Sequence, residues 1–380
     1  MQPKIQTIPL CRLSSGDILA LQSYHFQGKP GKKVYIQGNL HGAEIIGNAV
    51  IAQLYHWLTT INVENLQGEI CLVPGCNPIG MNQRSHFFNP GRYNSYDGQD
   101  WNRIFQDYTL DSEALIDFAK IHFEADLPTL TKTYFQKIKT QFQAAIQHRD
   151  QSSYVPYPVK YQQILQSLCL DANTVIDIHS SSNQGIDYLF TFPGQEKATN
   201  HFLLEVAIQV ENPTGLTFDE AFIRPWLSLE KTFRDLGREI KFDIASWTLE
   251  LGSGMTVQSE SLQRGVRGIK NYLVSEGIVK SDEFSSAKTG NRVTFIKKEQ
   301  IKKYYAPTGG IIQNCRDLKT EIKQGEGIYE ILQLNKQGEG LEKITVTAEQ
   351  AGFIFDRGTN QAVNEGEYVV TIVEREQNND

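Results

Sequence analysis

The sequence predicts an α/β protein followed by a small all-β unit, and three observations carry that reading. Short apolar runs rich in β-branched residues stand at 33–38, 69–74, 174–178 and 245–250, of the kind that suits a sheet covered on both faces. Between the first two, Ile45, Ile46, Val50, Ile51, Leu54 and Leu58 recur at helical spacing, so strand, helix and strand follow one another. After Val279 the texture changes to a polar, Ser-rich stretch and then to alternating apolar and polar residues broken by glycine turns.

The remaining elements follow in order. The spacing predicts a helix over 44–58, then a helical insertion in which Leu115, Phe118, Ala119 and Phe123 line one face. That pattern breaks at Pro128 and resumes with Tyr134, Ile138, Phe142 and Ile146. A helix over 161–170 leads into the strand that ends at Ile178, and an amphipathic helix over 259–277 closes on Gly277 as its C-terminal cap. The organisation expected is a first domain over 1–284, with the insertion at about 106–170, and a β domain over 285–380.

Length and charge agree with this division. At 380 residues the chain exceeds the size at which one core usually stops growing. A net charge of -7 offers no basic footprint for nucleic acid or an anionic membrane, so any cationic site must be local. No apolar run is long enough to span a membrane, and Met1-Gln2-Pro3-Lys4 is not followed by a signal core. Five scattered cysteines (Cys11, Cys71, Cys76, Cys169, Cys315) form no C-x-x-C pair, which predicts reduced thiols and a cytoplasmic setting.

Within the β unit, 306–312 leading to 324–329 is echoed by 350–355 leading to 364–369, each a Gly-marked strand before a Gly-Glu turn. The pair resembles the two halves of a barrel-sandwich hybrid domain of the biotinyl/lipoyl type. No lysine stands in the hairpin context those carriers use. Lys336 and Lys343, near the midpoint, read as solvated hairpin lysines, and the unit as a structural, oligomerisation or lid element.

Four local features point to chemistry. Gly38-Asn39-Leu40-His41-Gly42-Ala43-Glu44 lies where a strand ends and a helix begins, the usual place for ligands in open α/β sheets. His41 and Glu44 are close enough in sequence to converge on one ion, although such a pair also suits a helix cap and a surface histidine. A second strand ends Asp177-Ile178-His179; two histidines, a carboxylate and an open position make the ligand set of catalytic zinc. Asp177 shares the face of His179 and suits an orienting acceptor or a loop cap.

Glu250 closes the apolar run Trp247-Thr248-Leu249-Glu250 before a Gly-rich turn, where partial burial favours a general base. The polar loop from Phe88 to Phe105 supplies the local cationic site. In it Arg103 with Asn102 suits a carboxylate grip, and Arg92 suits a developing oxyanion.

His41-Gly42-Ala43-Glu44, then Arg92 through Asp100-Trp101-Asn102-Arg103-Ile104-Phe105, then Asp177-Ile178-His179, then Thr248-Leu249-Glu250-Leu251-Gly252 resemble, in this order, the succinylglutamate desuccinylase/aspartoacylase family of the zinc carboxypeptidase superfamily. The resemblance spans roughly residues 30 to 280. It implies a zinc-carboxypeptidase-like mixed sheet flanked by helices, with a C-terminal all-β domain, and one zinc per chain held by His41, Glu44 and His179. It further implies Glu250 as general base, Arg92 at the scissile carbonyl, and Asn102 and Arg103 on the substrate carboxylate.

Two departures stand out: Trp101 occupies the place where the family usually has Leu, which would reshape the pocket wall, and Arg84 rivals Arg92. Arg224, in a segment where such enzymes vary, reads as structural or as a reader of a second carboxylate. The activity implied is hydrolysis of an N-acyl amino acid or a related small carboxylate. Alternatives are a carboxypeptidase acting on a peptide or peptidoglycan fragment, and a catalytically silent binding module. The partner expected is the small substrate, with no nucleic acid or membrane, and a homo-oligomer is compatible with the sequence.

Overall fold

The computed structural model describes residues 1–87, 89–150, 155–281, 293–334, 336, 338 and 340–375. Its strands in chain order begin with β1 (Lys4–Arg12), β2 (Ile18–Gln27), β3 (Lys29–Gly38), β4 (Gln67–Val73) and β5 (Thr174–Ser181). They continue with β6 (Gln184–Gly185), β7 (Tyr188–Thr191), β8 (Val206–Gln209), β9 (Ala245–Ser253) and β10 (Thr294–Lys297). All but β6 form one nine-stranded sheet in the order β1-β2-β4-β3-β5-β9-β7-β8-β10. The sheet is mixed: β4, β3, β5 and β9 run parallel at its centre, while β2 on β4 and β7 on β9 pair antiparallel. The four expected strands are β3, β4, β5 and β9. The N-terminal hairpin β1–β2 is additional; most of β1 is exposed, and polar positions interrupt the apolar pattern of both strands.

The helices are α1 (Ile46–Thr60), α2 (Pro78–Asn82), α3 (Ser112–Ile121), α4 (Leu127–Asp150), α5 (Tyr157–Cys169), α6 (Glu196–Thr199), α7 (Phe218–Asp235) and α8 (Ser259–Ser275). Alternation along the central strands sorts side chains between two layers. Ile36, Ile176, Ile178, Trp247, Leu249 and Leu251 face α1 and α8. Tyr35 and Val175 face the other way, into a cluster with Tyr161 of α5 and Phe218 of α7. Gly38 and Gly47 allow α1 to lie against β3, since a Cβ at Gly38 would meet Gly47 Cα at 2.9 Å.

The insertion is helical as predicted, and its break falls between α3 and α4. Asp111 caps α3 by accepting from Ala114 N at 2.8 Å. Helix α7 was not anticipated: Pro225 sits inside it, and Tyr134 of α4 donates to the Pro225 carbonyl at 3.0 Å. Gly277, just beyond α8, adopts φ 69°, the left-handed cap expected there.

The remaining strands are β11 (Ile301–Tyr305), β12 (Gly310–Gln313), β13 (Glu321–Ile322), β14 (Gly327–Gln333), β15 (Glu342–Thr347), β16 (Gly352–Arg357), β17 (Ala362–Val363) and β18 (Tyr368–Glu374). They form a sheet β11-β18-β16-β13, extended by β6 alongside β16, and a second sheet β15-β14-β12-β17. Ile312, Ile328, Ile331, Ile354, Val370 and Ile372 fill the core between the two. The expected boundary at 284/285 lies outside the described residues, and β10 belongs to the large sheet, parallel to β8. Lys336 is exposed, and Lys343 lies on β15 in an ion pair with Glu330. Among the described residues no helix is long and apolar enough to cross a membrane.

Candidate metal centre and reaction site

The turn after β3 is built by a left-handed residue. Asn39, at φ 70°, donates through Nδ2 to the carbonyls of His41 and Gly42 at 3.2 and 3.0 Å. Gly42 is required next, because a Cβ there would fall 2.0 Å from the Gly80 carbonyl oxygen. The amides of Gly42 and Ala43 donate to Gly91 and Pro90, each at 3.0 Å, so the arginine loop is stitched to the turn. That stitching brings Arg92 beside His41 and Glu44.

His41, Glu44 and His179 converge in a buried cluster whose candidate ligand atoms all lie within 4.8 Å of one another. Glu44 bridges the rings, Oε1 to His41 Nδ1 at 2.9 Å and Oε2 to His179 Nδ1 at 2.8 Å. The outer nitrogens meet carboxylates: His41 Nε2 lies 3.1 Å from Asp100 Oδ1, and His179 Nε2 lies 2.8 Å from Asp177 Oδ2. Two imidazoles and a carboxylate facing one point, with each ring oriented from behind by a carboxylate, fit a divalent ion such as zinc.

Behind Asp177 the buried network continues. Gln37 Nε2 donates to Asp177 Oδ1 at 3.1 Å, and Gln37 Oε1 accepts from the Tyr35 hydroxyl at 2.9 Å. Asp177 is thus the orienting acceptor that its place in the strand suggested. Asp100 was named in the sequence without a role. Its contact with His41 depends on a turn that returns the chain 59 residues later, and the only signal was the need of a ligand histidine for an acceptor on its second nitrogen.

Electrostatics follow from this packing. Burial works to raise Glu44, but His41 and His179 outweigh it and hold the carboxyl well below the usual range. Asp100 is likewise lowered, burial being overcome by His41, the Asn102 amide and Arg92. Burial opposes protonation of His179, yet Asp177 and Glu44 raise it well above an ordinary histidine.

Glu250 stands opposite His179 in the parallel β5–β9 register, on the same face of the sheet. Burial pushes it up to about 7, opposed by His179 and Arg92 and assisted by Glu44. Its carboxylate has no hydrogen-bond partner among the described residues.

Arg92 donates to Asp100 Oδ2 at 3.2 Å, and to Glu44 Oε1 and Ser182 Oγ at 3.4 Å each. Arg84 is exposed and turned to the carbonyls of Met81 and Gln83 in its own loop. Asn102 accepts from Phe218 N at 2.8 Å through Oδ1, so its amide links the arginine loop to the start of α7. Arg103 is exposed and donates to the Asn102 carbonyl at 2.6 Å. Trp101 does not form a pocket wall: it is fully buried in the core, against Tyr157 and Tyr161 of α5. Arg224 pairs with Asp107, the structural alternative foreseen for it.

Residues 30–143, which include His41, Glu44, Arg92, Asn102 and Arg103, match the family model of the succinylglutamate desuccinylase/aspartoacylase catalytic domain. Among solved structures, a protein of Shewanella frigidimarina NCIMB 400 assigned to succinylglutamate desuccinylase/aspartoacylase is 25% identical. The likeness covers 98% of either chain, at a TM-score of 0.86. A family protein of Shewanella amazonensis SB2B is 26% identical, with 97% of this chain and 98% of that one covered at 0.84. A succinylglutamate desuccinylase/aspartoacylase of Rhodobacter sphaeroides shares the fold at 17% identity and 0.67, over 98% and 96% of the two chains. No curated protein matches the chain. The motif order, the family model over residues 30–143 and the full-length structural likeness point the same way: the chain resembles the succinylglutamate desuccinylase/aspartoacylase family in its catalytic-domain sequence and in its fold.

Proposed function

We propose that the protein is a zinc-dependent amidohydrolase that removes the acyl group from an N-acyl amino acid or a related small carboxylate. One observation carries the reading. A carboxylate held ready as a base, Glu250, stands in register beside a ligand histidine, His179, of a buried His-Glu-His cluster. His41, Glu44 and His179 would hold the zinc, one per chain, on a zinc-carboxypeptidase-like sheet. When bound, such an ion supplies a Lewis acid and lowers the pKa of water at the site.

Glu250 takes the proton of the attacking water and later delivers it to the leaving amine, for which a pKa raised toward neutrality is suited. Arg92, drawn to the cluster by Glu44 and Asp100, faces the charge that develops on the carbonyl oxygen. Arg103, with the Asn102 amide beside it, binds the substrate carboxylate. The division into 1–284 and 285–380 belongs to this proposal, with β10 (Thr294–Lys297) of the second part completing the large sheet of the first, and the five free thiols support a cytoplasmic setting.

The test is metal content of the purified protein together with amine release from a panel of N-acyl amino acids and C-terminal dipeptides, with and without a chelator. About one zinc per chain and chelator-sensitive release from N-acyl amino acids is the expected result. Release from the dipeptides alone would make the enzyme a carboxypeptidase, and a protein that neither holds nor takes up metal would overturn the site.

A further inference from the structure

Most polar groups around the cluster are already engaged with one another. His41 and His179 meet carboxylates on both sides, and Arg92 is shared among Asp100, Glu44 and Ser182. Asp356, reaching in from β16, accepts from Ser181 at 2.5 Å, Asn183 at 3.4 Å and the Tyr368 hydroxyl. On the face that carries His179, two side chains differ: neither the Glu250 carboxylate nor the Tyr188 hydroxyl has a hydrogen-bond partner among the described residues, and both are half-buried.

The register brings these two together. Strand β7 pairs antiparallel with β9, and Tyr188 is the direct partner of Glu250. Because β5 pairs in parallel with β9 on its other edge, with His179 opposite Glu250, three neighbouring strands present His179, Glu250 and Tyr188 in one row on one face. The Tyr188 ring is clamped between Phe190 and Phe355, centroids 5.4 and 4.6 Å away, so its position is set by packing rather than by its hydroxyl. Burial, and the negative charge of Glu250, Asp356 and Glu44 nearby, keep the phenol protonated and therefore a donor.

We propose that Tyr188 is a catalytic residue of this site, its hydroxyl donating a hydrogen bond to the scissile amide of the bound substrate. The inference rests on the amidohydrolase reading above. A neutral donor fixed beside the base, with its polar end unengaged, meets whatever occupies the space over Glu250. In that reading the occupant is the amide under attack, so the hydroxyl favours the transition state of every substrate alike.

Tyr188→Phe tests this, since it removes only the hydroxyl and leaves the aromatic clamp. The zinc-loaded variant is compared with wild type for kcat/KM across the N-acyl amino acid panel, for zinc content, and for the acid limb of the pH profile. The expected result is a loss of about a hundredfold or more, on the order of one donor's contribution, similar for every substrate, with zinc content and the acid limb unchanged. Activity within twofold of wild type overturns the proposal, as does a loss confined to one acyl group, which places the hydroxyl on the variable part of the substrate. An upward shift of the acid limb also overturns it, by placing the hydroxyl on Glu250 itself. Absence of wild-type turnover on the panel is a different failure: it removes the amidohydrolase reading and this inference with it.

Discussion

His179 and Glu250 stand directly opposite one another on the adjacent parallel strands β5 and β9, a candidate metal ligand and a candidate base held at the spacing of a sheet. Neither sits on a mobile arm; the ladder that builds the core also sets their separation. Glu250→Gln keeps shape and volume but removes the proton acceptor. The variant is expected to retain its zinc and to lose on the order of a hundredfold or more in kcat. Metal analysis and steady-state rates on the same preparation check both halves.

The carboxylates behind the histidines carry a second expectation. Asp100 and Asp177 fix ring orientation through His41 Nε2 and His179 Nε2. Asp100→Ala and Asp177→Ala should each weaken zinc binding about 10- to 100-fold. Tyr35→Phe, which removes only the far end of the chain through Gln37, should weaken it less. Competition with a chromophoric chelator measures all three without requiring turnover.

Much of this arrangement is legible in the sequence, for a definite reason. His41 and Glu44 lie in the turn just past β3, and His179 and Glu250 lie two and three residues before the ends of β5 and β9, so each closes or follows an apolar run that the sequence makes visible. What escaped depends on pairing across the chain. Nothing near Asp100 announces that it will meet His41, and β7 is only four residues long, so its antiparallel union with β9 and the placing of Tyr188 by Glu250 emerge from the sheet alone. Helix α7 was hidden by Pro225 and by polar residues over much of its surface. Trp101 lies in the core rather than on the pocket wall, since a motif shows which residues are neighbours but not which way each points.

Two arginines should separate kinetically. Arg103 is exposed and, among the described residues, donates only to a backbone carbonyl, so Arg103→Ala should raise KM about tenfold or more while kcat changes little. Arg92 lies against Glu44 and Asp100, where charge on the reacting carbonyl would develop, so Arg92→Ala should lower kcat on the order of a hundredfold. Zinc content belongs in the Arg92 measurement because of its contact with Glu44.

Glu250 also predicts a pH dependence with two signs. Burial pushes its pKa up to about 7, and a bound cation acts in the opposite direction. As a base it must be ionised, so kcat/KM should rise with pH along an acid limb centred at about 7 or below. For stability of the metal-free protein the sign reverses. The folded state binds the proton more tightly than an unfolded carboxyl of pKa about 4.3, so the contribution is full below that value and is lost as pH rises toward 7. The difference between wild type and Glu250→Gln in denaturation midpoint across that window checks the direction.

Trp101 joins the two halves of the site to the core. It lies between Asp100, which orients His41, and Asn102, which accepts from the first amide of α7; its own amide donates to the Arg92 carbonyl at 3.0 Å. Its indole packs edge-on against Tyr161 at 5.4 Å and is fully buried. Trp101→Ala should therefore cost about 3–5 kcal/mol of stability by opening a cavity under the loop. The loss should extend beyond stability, because Asp100 and Asn102 both depend on that anchor. At temperatures where the variant is still folded, zinc should be held more weakly and KM should rise, whereas Trp101→Phe should recover much of both. Urea unfolding with chelator competition at a fixed low temperature separates the effects: a variant that is destabilised yet binds zinc as tightly as wild type would show that the loop holds its geometry without the indole.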